Sequence, residues 1–166
     1  MGVLSRTLAQ ALAAYHHINQ NLETVVEQKT RALLESESHF RGFFEHNTSV
    51  MLQIDPHTGQ VMLANQAAAD FYGYSLDALM AMHITDLNCL APEETQVQMA
   101  LAEHENRHSF IFQHRLRSGE VRDVEVYSTP MHTNQKAVLF SVIHDITERL
   151  ATERKLKIYA QALMSN

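Results

Sequence analysis

Apolar residues recur along this chain in two rhythms, and the change from one to the other divides it. From Val3 to Glu37 there is neither Gly nor Pro, and Ala, Leu, Glu and Gln dominate, so the spacing predicts one long helix. With Leu12, Asn19, Val26 and Leu33 at heptad position a, position d falls on Leu8, Tyr15, Leu22 and Lys29. Ile18, Val25 and Ala32 sit beside them at g and widen the stripe. That pattern is a coiled coil with faults. Asn19 at an a position is the kind of polar fault that sets register in a parallel dimer. The other use of such a helix is to lie on its own domain's sheet. In SESHFRGFFEHN (36–47) the character changes. Phe40, Phe43 and Phe44 stand at i, i+3 and i+4, which predicts a separate short amphipathic helix, with Gly42 as a break before it.

Period-two alternation then takes over. VMLQID and QVMLAN flank PHTG and predict a hairpin turned by Pro56 and Gly59. Asn65 is placed to cap a short helix that Gly73 ends, and Ser75 caps another through Leu79 and Met80. HITDLNCL reads as short and irregular. Pro92 opens a longer helix whose first turn is acidic, as the helix dipole favours. Three extended segments follow: SFIFQHRLR, EVRDVEVYST and KAVLFSVIHD, the first two joined at Ser118-Gly119. A three-residue loop there puts Phe110, Phe112 and Leu116 on one face with Val124 and Val126. The last strand is apolar on both faces, Leu139 and Ile143 on one, Val138, Phe140 and Val142 on the other, which predicts a central position. Its outer face needs a cover, and the long helix or a second subunit is the expected one. The fold class is α+β: a five-stranded antiparallel sheet with short helices on one side, a long N-terminal helix and a C-terminal helix. The expected boundaries are 1–37, 38–149 and 150–166.

Composition narrows the function. The chain has 166 residues, 45% of them hydrophobic, enough for one domain with a core plus appendages. A formal net charge of −6 without a basic cluster excludes a nucleic-acid surface. The one cysteine, Cys89, excludes an internal disulfide and fits a reducing cytoplasm. No run of about 18 apolar residues occurs, so no membrane span is expected within these residues. The apolar residues of MGVLSRTLAQALAAY are spaced helically and do not form the block of a signal peptide. The histidines are scattered without zinc spacing. There is no nucleophile–base pair and no glycine-rich phosphate loop, so no enzymatic activity is expected here.

FRGFFEHN, LQIDPHTGQVMLAN, NQAAADFYGYS, RLRSGEVRDVEVY and VIHDITER, in that order and spacing, resemble a PAS sensor domain of the sensory-box type. The resemblance covers residues 39–149, and Asp-Ile-Thr-Glu-Arg is its most specific piece. NLETVVEQKTRALLESE is similar to the signalling helices that join such domains to other modules in bacterial sensor proteins. The resemblance implies a homodimeric, cytoplasmic sensory module, in a protein that could carry a membrane anchor elsewhere. It also implies an output domain outside these residues: a diguanylate cyclase, a histidine kinase or a further PAS module. Asp145, Thr147 and Arg149 are then the expected relay from sheet to exit helix. Asp145 has capping-box spacing to Glu148 and i,i+4 spacing to Arg149. No Gly or Pro softens that junction, and a stiff joint transmits a shift that a Gly-rich one absorbs.

A pocket between sheet and helices is the place for a small ligand. Its candidate lining is Tyr72, Asn88, Phe112, His114, Ser128 and Ser141, with His114 able to orient a ligand on an otherwise apolar wall. Two cofactors of the family are not expected. In light-oxygen-voltage domains a reactive Cys follows Asn, as Cys89 follows Asn88, but Arg-Phe-Leu-Gln then holds the flavin, where this chain has Leu90-Ala91-Pro92-Glu93. Haem-binding relatives place a His within the long helix; here Glu93–Ala102 has none, and His104 and His108 come after it. No metal is expected. Asp123 and Glu125 stand two apart on one strand, turned from the apolar face, as a solvated or interface pair. The competing readings are a structural dimerisation spacer without a ligand and a flavin photoreceptor hung on Cys89.

Overall fold

The computed structural model describes residues 2–104, 109–133 and 136–165. The chain divides into two compact units, Met1–Phe43 and Phe44–Asn166. The described residues of the first are helical throughout. Helix α1, Gly2–His46, runs unbroken for 45 residues, so neither Gly42 nor the change in composition at Ser36 starts a new helix. A single internal glycine costs about 1 kcal/mol against alanine, too little to interrupt a helix of this length. Leu8, Leu12, Tyr15, Leu22, Val26 and Leu33 are each more than half exposed, so the heptad stripe stays uncovered within one chain.

The second unit is built on a sheet. Strands β1 (Val50–Ile54) and β2 (Val61–Ala64) form the first hairpin; β3 (Ser109–Arg115), β4 (Val121–Thr133) and β5 (Lys136–Asp145) form the rest. The order is β2-β1-β5-β4-β3, antiparallel at every pairing, with β5 central as its two apolar faces require. Between the hairpin and β3 lie α2 (Gln66–Tyr72), α3 (Leu76–Met80), the single turn α4 (Ile84–Leu87) and α5 (Pro92–His104); α6 (Thr147–Met164) follows β5.

Local chemistry fixes the connections. Asp55 Oδ1 accepts from the backbone N–H groups of His57 and Thr58 in the first hairpin's turn. Gly59 closes that turn at φ 75°, where an added Cβ would lie 3.4 Å from Ile84 and Met99 side-chain carbons. Gly73 ends α2 in the left-handed conformation at φ 79°. In the second hairpin Leu116 N–H bonds to Glu120 O, which leaves the expected three-residue loop. The register sets Phe110 opposite Val126 and Phe112 opposite Val124, so the inner face is as the alternation predicts. The free edge of β3 is not bare: Asn88 bridges to His114, and Cys89 N–H donates to Gln113 O.

The last turn of α1 supplies part of the cover of the outer face. Residues 3–37 bury no side chain. Phe44, from the last turn of α1, is buried and packs on Phe140 with ring centroids 6.0 Å apart. Ile111, Tyr127 and Met131 on that face remain exposed.

Candidate functional site

The core between the inner face and the helices is not filled. A cavity of about 40 Å³ remains, walled by Leu52 and Ile54 of β1, Leu139, Ser141 and Ile143 of β5, Val126 and Ser128 of β4, and Phe110, Phe112 and His114 of β3. Ile84 and Asn88 close one side, and Thr95, Gln98, Met99 and Ala102 of α5 close another. Such a space holds about three water molecules or a comparably small solute. Five of the six expected pocket residues line it: Asn88, Phe112, His114, Ser128 and Ser141. Tyr72 lies behind the wall, bonded to His114. The α5 face was missed, although Thr95, Gln98, Met99 and Ala102 follow the i, i+3, i+4, i+7 spacing that marks a common helical face.

Several polar groups of this wall are satisfied within the protein. Ser128 Oγ and Ser141 Oγ lie 2.8 Å apart across β4 and β5. Thr95 Oγ1 donates to Ala91 O, and Asn88 Oδ1 accepts from Leu90 N–H. His114 is the exception. Its Nδ1 lies 2.8 Å from Tyr72 Oη, both residues are fully buried, and Nε2 has no partner among the described residues. Phe110, Phe112 and His114 stack at alternate positions along β3, with centroids 5.6 Å and 6.2 Å apart. Burial disfavours the imidazolium and lowers the His114 pKa to about 4; it raises that of Tyr72. Both are therefore neutral near pH 7.

The second candidate constellation is the joint between sheet and exit helix. Asp145 Oδ1 accepts from the Thr147 backbone N–H at 3.0 Å and from Thr147 Oγ1 at 2.6 Å. Thr147 Oγ1 in turn accepts from Asp123 N–H at 3.0 Å, and Ile146 N–H donates to Asp123 O at 2.9 Å. Two expected pairings are not the ones formed. Glu148 completes no capping box, since the N-cap residue is Ile146, without a side-chain cap bond. The Arg149 guanidinium reaches Glu125 at 3.5 Å rather than Asp145, and Asp145 pairs with Arg122 at 3.3 Å. Strand β4 lies beside the helix start and offers nearer partners than the helix itself. Asp123 and Glu125 thus hold α6 to β4, and Arg154 also approaches Asp123, at 3.9 Å. A hydrogen bond from Tyr127, together with Arg149, lowers the Glu125 pKa and keeps its charge available.

This geometry separates two substitutions. Thr147→Val removes the acceptor of a part-buried N–H and should cost about 1–2 kcal/mol. It should also speed amide exchange over the first turn of α6. Arg149→Ala loses a solvent-screened pair and should leave the unfolding midpoint nearly unchanged. Chemical denaturation and hydrogen exchange of the two variants check both statements.

Cys89 is exposed at the end of α4's turn, outside the cavity wall. His104 is exposed at the end of α5, and His108 lies outside the described residues. Among the described residues no group of three or more His, Cys, Asp or Glu could hold a metal ion, and no helix is long and apolar enough to cross a membrane.

Comparison with known proteins places this arrangement. The family model described as a PAS domain matches residues 47–148. The diguanylate cyclase DgcM of Escherichia coli (strain K12) is 30% identical over 125 residues, which are 74% of this chain and 30% of that protein. The chain therefore spans about a third of the length of this curated relative. Among solved structures, the PAS domain of an HTR-like protein from Haloarcula marismortui superposes with a TM-score of 0.64 at 20% identity, over 72% of this chain and 99% of that one. A domain of a sensory box sensor histidine kinase/response regulator from Geobacter sulfurreducens does so with a TM-score of 0.56 at 18% identity, over 66% and 95%. The match spans the sheet, the cavity and the start of the exit helix at Thr147 and Glu148, and on it the chain belongs to the PAS domain family, the sensory modules of signalling proteins.

Proposed function

We propose that this chain is a homodimeric, cytoplasmic sensor that detects a small ligand in the cavity and passes the change to an output domain through α6. One observation carries the reading. Strand β5 supplies Leu139, Ser141 and Ile143 to the cavity wall, and a single residue, Ile146, separates it from α6. A ligand that fits one arrangement of that strand better than another biases the joint at Asp145, Thr147 and Arg149; equal fit to both moves nothing. The relative DgcM favours a diguanylate cyclase as output, with a histidine kinase the other candidate of this class.

The test is native mass spectrometry of the purified chain, with hydrogen exchange over residues 145–151 before and after release of any bound small molecule. A co-purified molecule whose release changes that exchange supports sensing. A cavity without guests and exchange that never responds leaves a dimerisation spacer.

The dimer is proposed on the exposed heptad stripe of α1. Leu12→Asp with Val26→Asp should convert a dimer to a monomer in sedimentation without altering the spectrum of the sheet domain. A dimer that persists places the contact elsewhere.

A further inference from the structure

Among the described residues, one fully buried polar atom of the cavity lining has no hydrogen-bond partner, and its chemistry selects a class of ligand. Tyr72 Oη and His114 Nδ1 are 2.8 Å apart, in surroundings that keep both groups neutral. A buried phenol O–H must donate, and Nδ1 is the acceptor within reach. The imidazole proton then sits on Nε2. That N–H is fully buried and meets no acceptor among the described residues. His114 lines the cavity and Tyr72 does not, so the ring's Nδ1 is engaged by a residue behind the wall and Nε2 is the ring nitrogen left for a guest. A buried donor without a partner is costly, and a guest that supplies an acceptor removes that cost.

From this we infer that the cavity takes a small uncharged carbonyl compound, a ketone or aldehyde of about four heavy atoms, with its oxygen accepting from His114 Nε2–H. The inference rests on the sensing reading above. Three features set the class. Leu52, Ile54, Met99, Val126, Leu139 and Ile143 offer an apolar wall with no charged side chain to match a carboxylate or an amine. Nε2–H is a donor, so an acceptor is preferred over an ammonium or amide N–H. The volume excludes a nucleotide, a flavin or a haem unless the core rearranges.

Acetone, acetate and xenon are the probes, followed through the His114 ring resonances and cavity methyl groups of the whole chain by NMR. Acetone should shift the Nε2 proton saturably and bind at least tenfold more tightly than acetate. Xenon tests the cavity without an acceptor. His114→Phe should abolish the preference for acetone over xenon. Should the orphaned Tyr72 hydroxyl unfold that variant, the Tyr72→Phe/His114→Phe pair removes both partners and serves instead. Acetone binding that is unchanged in these variants, or matched by acetate, overturns the ligand class and leaves sensing intact. If neither xenon nor acetone enters, the cavity is closed to guests, and the ligand class falls together with the sensing reading.

Discussion

Lowering the pH from 7 to about 4.5 should remove roughly 2–3 kcal/mol of folding stability through His114 alone. In the folded domain its pKa lies at about 4, against 6.5 for an unperturbed imidazole. Between those values the unfolded chain binds a proton that the folded domain refuses. The contribution is complete above pH 6.5 and is lost as the pH falls toward 4. The cause is desolvation. No other ionisable side chain lines the cavity. Tyr72 faces the ring as a neutral phenol, and Arg122, opposite on β4, is tied to Glu120 and Asp145. Urea denaturation at a series of pH values, with His114→Gln beside the parent chain, measures it. The parent should lose more stability than the variant between pH 6.5 and 4.5, whatever the variant's stability at pH 7. Parallel curves would mean that the imidazole reaches water or an anion when protonated.

Asn65→Ala should cost about 4 kcal/mol, a large share of the total for a domain of this size. The side chain is fully buried. Its Oδ1 accepts from Met51 N–H at 3.1 Å and Ala68 N–H at 3.0 Å, and its Nδ2 donates to Ser49 O at 2.8 Å and Asn47 O at 3.4 Å. Alanine forfeits the helix cap, worth about 1 kcal/mol, and strands buried donors and acceptors at about 1–3 kcal/mol each, partly relieved by relaxation. Asn65→Asp isolates the two halves of the role. The carboxylate keeps the cap of α2 but faces the Ser49 and Asn47 carbonyls with no proton to give. It should remain clearly destabilised at pH 7. If Asn65→Asp matches the parent chain, the donor half contributes nothing and the capping half explains everything.

Strand parity made most of the sheet legible. Phe110, Phe112 and His114 alternate, so their common face followed from spacing, and with it the placing of His114 at a cavity. The two-faced apolarity of β5 announced its central place. Residues near one another in sequence were also readable, as with Asn65 at the start of α2. What escaped depends on register between distant segments. Asn65 read as a cap, but its bonds to Ser49 and Asn47 span 16 and 18 positions. At the joint, the i,i+4 rule pairs Asp145 with Arg149 within the helix, whereas the folded sheet brings Arg122 from 23 positions away. Asp123 and Glu125 read as a solvated or interface pair, and nothing local says that a helix start will lie against them. Gly42 misled for the opposite reason: a local signal worth about 1 kcal/mol was outweighed by the helix around it.

The bridge from Asn88 to the edge of β3 has a kinetic corollary. His114 is held by its neighbours on both sides, Asn88 at the edge and Arg122 within the sheet. Its ring is also gripped from behind by Tyr72. A recognition group so confined has little freedom left to surrender when a guest arrives. Good and poor guests should then arrive at similar speeds and differ in how long they stay.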